Sequence, residues 1–156
     1  MRKKITPQPR PAPVPDEAWL DLNRMALIEV TSEEDGYPIE CALLEKASEG
    51  WRAADAGTQT IRVIFDEPQT LRRIWLVFED MENTRTQEFL LRWSLSIEHS
   101  FREIVRQEWN FSRPDSVREV EKYSVELCEV AVLELIIEPD KGHGRARASL
   151  RSFRLG

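Results

Sequence analysis

Few residues in this chain have the types and spacing that enzyme chemistry requires. The sequence has only two histidines, His99 and His143, and neither stands in a metal-ligand spacing such as HxxxH. It also lacks a G-x-S-x-G nucleophile motif, a phosphate-binding loop and a dinucleotide-binding fingerprint. Glutamates are abundant throughout, so their abundance does not single out a catalytic carboxylate pair. The sequence therefore predicts a non-catalytic protein that needs no cofactor.

Polar residues that could bind a ligand concentrate in three long loops, at 79–86, 112–119 and 139–146. Alternate loops of an antiparallel sheet lie at the same end, so these three are expected to meet. Their guanidinium, amide and carboxylate groups suit the hydroxyls of a carbohydrate or small polyol. The alternative is that they are ordinary polar loops, since none contains a Trp, Tyr or Phe for a sugar to stack on. The candidate ligand-binding residues are Asp80, Asn83, Arg85, Arg113, Lys141, His143 and Arg145.

A second candidate surface lies on the reverse face of the central strands, around Trp75. Tryptophan and arginine with aliphatic neighbours are typical of the core of a protein–protein interface. The interface between two copies of this chain in a homo-oligomer is one such interface. The alternative is that the N-terminal segment, with Trp19 and Leu22, covers this face. The candidate partner-binding residues are Arg62, Arg73, Trp75 and Arg92.

The elements that would position these residues are strands, and two of them lie between Gly50 and Asp80. Apolar residues alternate with polar ones at 61–66 and again at 73–79, which is the period of a half-buried strand. A turn is expected at 66–70, because Pro68 cannot donate to a central ladder. Trp51, just ahead of these strands, is expected to plug one end of a sheet sandwich.

Alternation elsewhere predicts further strands at 25–31, 88–96, 101–111, 123–127, 131–137 and 148–155. The segment 38–47 fits either a helix or a strand. Turn residues recur roughly every dozen positions, which is typical of a β-sandwich or jelly roll. The predicted fold class is therefore all-β, an antiparallel sandwich of about eight strands with almost no helix.

The first fifteen residues differ from the rest of the chain. They contain prolines at every second position from Pro7 to Pro15, which favours an extended, polyproline-like tail. We expect residues 1–15 to be a disordered tail and residues 16–156 to form one domain. The tail carries Arg2, Lys3, Lys4 and Arg10 but no acidic residue.

Charge and apolar content exclude some partners. The chain has a formal net charge of −6, and because the tail is basic its body is more acidic still. An acidic body repels phosphate backbones, which argues against nucleic acid as a partner. No apolar run approaches the roughly 20 residues that span a bilayer, and the N-terminus lacks a signal-peptide core. We expect a cytoplasmic protein in which Cys41 and Cys128 are reduced thiols, packed as small apolar groups.

The order of several segments resembles a known family. A first strand ends in the turn VTSEEDG, and Trp51 and QTIRVIFDEPQTLRRIWL follow; VAVLELIIEPD and ASLRSFRLG complete the order. This order resembles the galactose-binding-like jelly roll of discoidin (coagulation factor 5/8 type C) domains and many carbohydrate-binding modules. It is similar also to the N-terminal domain of the single-strand-break repair scaffold. Over residues 25–156, the resemblance implies carbohydrate or small-polyol binding or, alternatively, protein–protein interaction in an assembly.

The resemblance also bears on calcium. Members that hold a structural calcium commonly place a glutamate in the last strand, in a pattern like L-x-E-ϕ-x-V. Ser152 occupies the matching position here. Calcium requires several oxygen ligands at once, so no metal site is expected. The carboxylates that could compensate are Glu33, Glu34, Asp35 and Glu45.

Overall fold

Strands make up most of the chain in the computed structural model, which describes residues 2–4, 19–44 and 49–156. The predicted all-β class, an antiparallel sandwich of about eight strands, is confirmed. Nearly all of the predicted tail lies outside the described residues, so its disorder stays a prediction. The elements are α1 (Leu22–Met25), β1 (Ala26–Val30), α2 (Glu40–Leu43), β2 (Trp51–Ala56), β3 (Gln59–Glu79), β4 (Arg85–Ser94), β5 (Arg102–Phe111), β6 (Arg118–Glu138), β7 (Arg147–Leu150) and β8 (Ser152–Leu155).

Two long strands, β3 and β6, run through both layers of the sandwich. The first half of β3 pairs with β1 on one side and with the second half of β6 on the other. The second half of β6 also pairs with β4, and β4 pairs with β5. We call these five strands the five-stranded layer. The second half of β3 pairs with β8 and with the first half of β6, which together form the three-stranded layer. All these pairings are antiparallel, and β2 and β7 form a separate antiparallel pair.

The predicted turn at 66–70 is wrong, because β3 continues through it. Pairing with β6 is interrupted between Ile64 and Gln69, so Pro68 lies where no ladder hydrogen bond is required. Register shifts follow at Gln69 and Leu71, and Glu129 on the opposite strand has a φ of 56°. These irregularities bend both strands from one layer into the other. The strands predicted separately at 123–127 and 131–137 are likewise one strand, β6.

The core lies between the two layers. Phe78 of the three-stranded layer stacks on Phe89 of the five-stranded layer, with ring centroids 5.3 Å apart. Trp51 is buried as expected, and its indole nitrogen donates to the carbonyl oxygen of Ser32 at 3.0 Å. Gly50, next to it, has a φ of +84°, and a Cβ there would lie 2.3 Å from the carbonyl oxygen of Leu150. The chain therefore needs glycine at this entry to β2.

Several smaller expectations can be compared with the same structure. The ambiguous segment 38–47 contains the short helix α2, although residues 45–48 lie outside the described residues. Neither cysteine forms a disulfide; Cys41 is half-buried, but Cys128 is exposed, so its predicted packing is wrong. Both described helices have four residues, and none in the described ranges could cross a membrane. Those ranges also contain no group of three His, Cys, Asp or Glu residues that could hold a metal ion.

Candidate ligand-binding site

The structure brings the three polar loops together at one end of the sandwich. The backbone N–H of Asp80 donates to the carbonyl oxygen of Val117 at 2.8 Å, which joins the first loop to the second. The backbone N–H of Lys141 donates to the carbonyl oxygen of Thr86 at 2.8 Å, which joins the third loop to the first. The loops at 79–86, 112–119 and 139–146 thus form one continuous rim.

Arg85 ties this rim together from the inside. Its Nε lies 2.7 Å from Oδ2 of Asp80, and its Nη1 donates to the carbonyl oxygen of Pro139 at 2.6 Å and to Gln87 at 3.2 Å. The ring of Phe111 covers the guanidinium at 4.5 Å. The Arg85 and Asp80 side chains are only 3% and 9% exposed. The donors of Arg85 are therefore largely used within the protein.

The pKa of Asp80 reflects this arrangement. Burial alone would raise it, but the hydrogen bond from Arg85 and those from the backbone N–H groups of Glu82 and Asn83 outweigh burial. The net result is a pKa below the ordinary value, so Asp80 is ionised near neutral pH. The pair is a structural element of the rim in which Asp80 carries its negative charge at neutral pH.

A groove of about 910 Å³ lies beside the rim. Four of the seven predicted ligand-binding residues line it, namely Asp80, Asn83, Arg85 and Arg145. Of these, Asn83 and Arg145 are exposed, and Arg145 has no ion-pair partner within the described ranges. The polar groups accessible from the groove are thus mainly an amide and a guanidinium, with Asp140 and Arg147 nearby.

The other three predicted residues do not line the groove. The Nζ of Lys141 ion-pairs with Glu88 at 2.9 Å and also with Glu108. The hydrogen bond with Glu108 is the largest cause that raises the pKa of Lys141 above its ordinary value, and the hydrogen bond with Glu88 is the next largest. His143, with a φ of 62°, and Arg113 are both exposed in their loops. Their roles in ligand binding stay predictions.

Tyr37 lines the same groove and was missed by the sequence analysis, which looked for aromatic residues only in the three loops. The guanidinium of Arg52 lies over the Tyr37 ring at 4.4 Å, and both Arg52 and Arg147 ion-pair with Glu34. Because β3 bends from one layer into the other, both of its ends lie at the rim. The segment after β1 therefore reaches the rim as well. The bend in β3 is therefore the signal that would have identified Tyr37 as a residue of the groove.

The four predicted partner-binding residues do not form one patch. Arg62 and Arg92 both bind the buried carboxylate of Glu134 on the five-stranded layer, each at 2.7 Å. Arg73 and Trp75 lie on the three-stranded layer, where Trp75 meets Trp19 edge to face at 4.9 Å. The parity argument failed because β3 bends between these positions, so the two halves expose opposite outer faces.

Solved structures match the chain, whereas no family model and no curated protein matches it. A pectin-binding carbohydrate-binding module has 12% identity and a TM-score of 0.62, covering 85% of this chain and 91% of that one. A family 32 carbohydrate-binding module from a Clostridium perfringens family 31 glycoside hydrolase has 17% identity and a TM-score of 0.61, covering 89% and 94%. XRCC1, solved bound to the DNA pol beta catalytic domain, has 16% identity and a TM-score of 0.57, covering 85% and 96%. The fold is the galactose-binding-like jelly roll.

The groove lies at the end of the sandwich where the first and third rim loops meet. The buried Arg85 joins the loops at the rim, whereas the groove residues Asn83 and Arg145 project from those loops and are exposed. In such an arrangement, the scaffold fixes the backbone and the exposed side chains are available to contact a ligand.

Proposed function

We propose that the protein is a non-catalytic module that binds a carbohydrate or small polyol in the rim groove. The groove itself carries this proposal: at about 910 Å³ it falls within the size range of small-molecule sites. Its accessible groups include the amide of Asn83, the guanidinium of Arg145 and the ring of Tyr37. The jelly-roll fold is shared with carbohydrate-binding modules, one of them solved in complex with galactose.

The charges of the groove favour a neutral, hydroxylated ligand. Five arginines and five carboxylates line it; among them Arg85 pairs with Asp80, while Arg52 and Arg147 share the nearby Glu34. A ligand with a net charge would leave the groove with an excess of one sign. Sugar hydroxyls both donate and accept hydrogen bonds, so they can use amides, guanidinium groups and carboxylates without changing the charge balance.

Substitution of the accessible residues tests the site. A glycan array followed by calorimetric titration of the full chain identifies a ligand and its affinity. Tyr37→Ala and Asn83→Ala should each weaken that ligand by about tenfold or more, because each removes a contact from a desolvated site. Arg24→Ala is the matched control, since Arg24 lies on α1 with its side chain 86% exposed.

Two results would contradict the proposal. One is a folded protein that binds no glycan at concentrations on the order of 1 mM, where even weak specific binding is measurable. The other is a glycan ligand whose affinity is the same for the wild type, Tyr37→Ala and Asn83→Ala, which would place the binding site elsewhere.

A second candidate function, protein–protein interaction, is favoured by the tryptophan pair on the three-stranded layer. Trp75 is half-buried, and beside Trp19 it has the ammonium of Lys122 at 4.2 Å and the guanidinium of Arg73 at 5.8 Å. Aromatic residues surrounded by cations are frequent anchors of protein interfaces.

Trp75→Ala distinguishes an interface from a structural contact. An interface predicts weaker self-association, measured by sedimentation, with a loss of folding stability of only about 0.5–1.5 kcal/mol from the Trp19 contact. The conservative Trp75→Phe should retain most of the association. A loss of about 3–5 kcal/mol in chemical denaturation, with unchanged sedimentation, would instead identify Trp75 as part of the fold.

A further inference from the structure

The two layers differ in width, and the difference leaves one side of the sandwich open. The first half of β6 forms the edge of the three-stranded layer, and β5 forms the edge of the five-stranded layer. Gln87 on β4 donates to Glu119 on β6 at 3.2 Å, so the first half of β6 lies over β4. The inner-face residues Val105, Gln107 and Trp109 of β5 are only half-buried, so the other layer covers β5 incompletely. We call the space between β5 and residues 118–127 of β6 the side cleft.

The side cleft carries two carboxylates without a matching cation. Glu119 is fully buried, and Glu121, two positions along the same face of β6, is half-buried. Tyr123, the next residue on this face, donates its hydroxyl to Glu121 at 3.1 Å. No Lys or Arg side chain among the described residues forms an ion pair with either glutamate; Arg85 acts on Glu119 only at longer range.

Two buried polar atoms in the side cleft lack hydrogen-bond partners. One is Oε2 of Glu119, and the other is the indole nitrogen of Trp109 on β5. Trp109 is the direct cross-strand partner of Gln87, which binds the other oxygen of Glu119. Both unpartnered atoms therefore lie around the same glutamine. Such atoms are rare in native proteins, where a bound ligand or an ordered water usually pairs with them.

The protonation of Glu119 agrees with this geometry. Burial and then the neighbouring Glu121 raise the pKa of Glu119 to about 8, although Gln87 and Arg85 act in the opposite direction. Glu119 therefore holds a proton at neutral pH. A positively charged group of a ligand could take the place of this proton. From β5, the inward positions 105, 107, 109 and 111 contribute no charged side chain.

The backbone of β6 is also unpaired along the side cleft. Residues 118–127 pair with β3 on one side, and no backbone partner is present on the other side within the described ranges. An unpaired edge of this length can accept an added strand. Such a strand would lie over the inner face of β5 and cover Val105 and Trp109. Its alternate side chains would match the two-residue spacing of Glu119, Glu121 and Tyr123.

We propose that the side cleft binds an extended basic peptide segment of a partner protein, which adds as a strand to the open edge of β6 and places a Lys or Arg side chain against Glu119 and Glu121. The unmatched carboxylates select the cation, and Tyr123, Val105 and Trp109 select apolar residues two positions to either side of it. The basic tail of this chain is not suited to the role, because its alternate prolines cannot donate to a ladder.

The probe is the capped peptide acetyl-TVTKTVT-amide, titrated into the full chain. Amide NMR shifts should concentrate at residues 102–111 and 118–127. The same peptide with norleucine in place of lysine should bind at least about tenfold more weakly, and Glu121→Gln should weaken the lysine peptide similarly. Glu126→Gln is the matched control, since Glu126 is exposed on the other face of the same strand. Affinity for the lysine peptide should rise as the pH passes through about 8, because the cation then replaces the proton.

Several outcomes would overturn the proposal. Equal affinity for the lysine and norleucine peptides would show that the carboxylates do not recognise the cation. Shifts confined to other strand edges, or none up to the solubility limit, would show that β6 does not accept a strand. Binding of butylamine alone with the same affinity and the same shifts would make the cleft a small-cation site instead.

Discussion

Replacing Arg85 by methionine should lower the free energy of unfolding by about 3–5 kcal/mol, the range expected when one partner of a buried ion pair is removed. The substitution leaves the carboxylate of Asp80, 9% exposed, without its cation. It also removes the donors to Pro139 and Gln87 that join the first and third rim loops. Urea denaturation followed by tryptophan fluorescence near neutral pH measures the loss.

The matched control is Arg145→Met, because Arg145 lies on the same rim but is exposed. Its effect should stay within about 0.5 kcal/mol, as for most surface substitutions. The double variant Asp80→Asn/Arg85→Met should be less destabilised than Arg85→Met, because it buries no unpaired charge. If Arg85→Met and Arg145→Met were equally stable, Arg85 would be available to a ligand after all.

The stability of the wild type should fall as the pH rises from about 5 to 8, and Glu119→Gln should remove most of this fall. Burial and Glu121 raise the pKa of Glu119 in the folded chain from its ordinary value of 4.5 to about 8. The folded state therefore binds this proton more tightly than the unfolded state does. The resulting stabilisation is complete below pH 4.5 and is lost as the pH rises through 8.

Thermal unfolding at a series of pH values measures this dependence. Asp80 does not interfere, because its lowered pKa affects stability only when the pH falls below about its ordinary value of 3.8. Glu126→Gln removes an exposed carboxylate from the same strand and should leave the pH profile unchanged. Parallel profiles for the wild type and Glu119→Gln would show that Glu119 is ionised throughout this range.

Local patterns sufficed to predict the fold class and most of the strands, although β2 was not predicted and the single strand expected at 148–155 is two strands, β7 and β8. Alternation such as that of Ile61, Val63 and Phe65 is a property of neighbouring residues, so it needs no knowledge of the rest of the chain. The bend in β3 was not predictable in this way. A proline in a strand pattern indicates either a turn or an interrupted ladder, and only the pairing of Gln69 with Val130 distinguishes the two. Because the bend was not predicted, alternate residues of β3 were assigned to the wrong face. Trp75 was therefore placed in the same predicted patch as Arg62 and Arg92.

The candidate site was only partly accessible to sequence reasoning for a similar reason. The residue type alone does not show whether an arginine in a polar loop contacts solvent or an internal carboxylate. Arg85 was therefore grouped with Arg145, although only Arg145 is exposed. The buried Glu134 is 72 residues from Arg62 and 42 from Arg92, so no local pattern indicates that they meet. Whether the exposed rim residues bind a ligand stays a prediction.

The two long strands also determine how the molecule can come apart. Because β3 and β6 each pass from one layer into the other and pair with one another in both, neither layer is an independent unit of chain. Opening the three-stranded layer would break the hydrogen bonds between β3 and β6 there. The same two strands continue into the five-stranded layer, so their pairing in that layer would be weakened as well. Local opening is therefore confined to the short peripheral strands such as β1 and β8, and the two layers are expected to unfold in a single cooperative step.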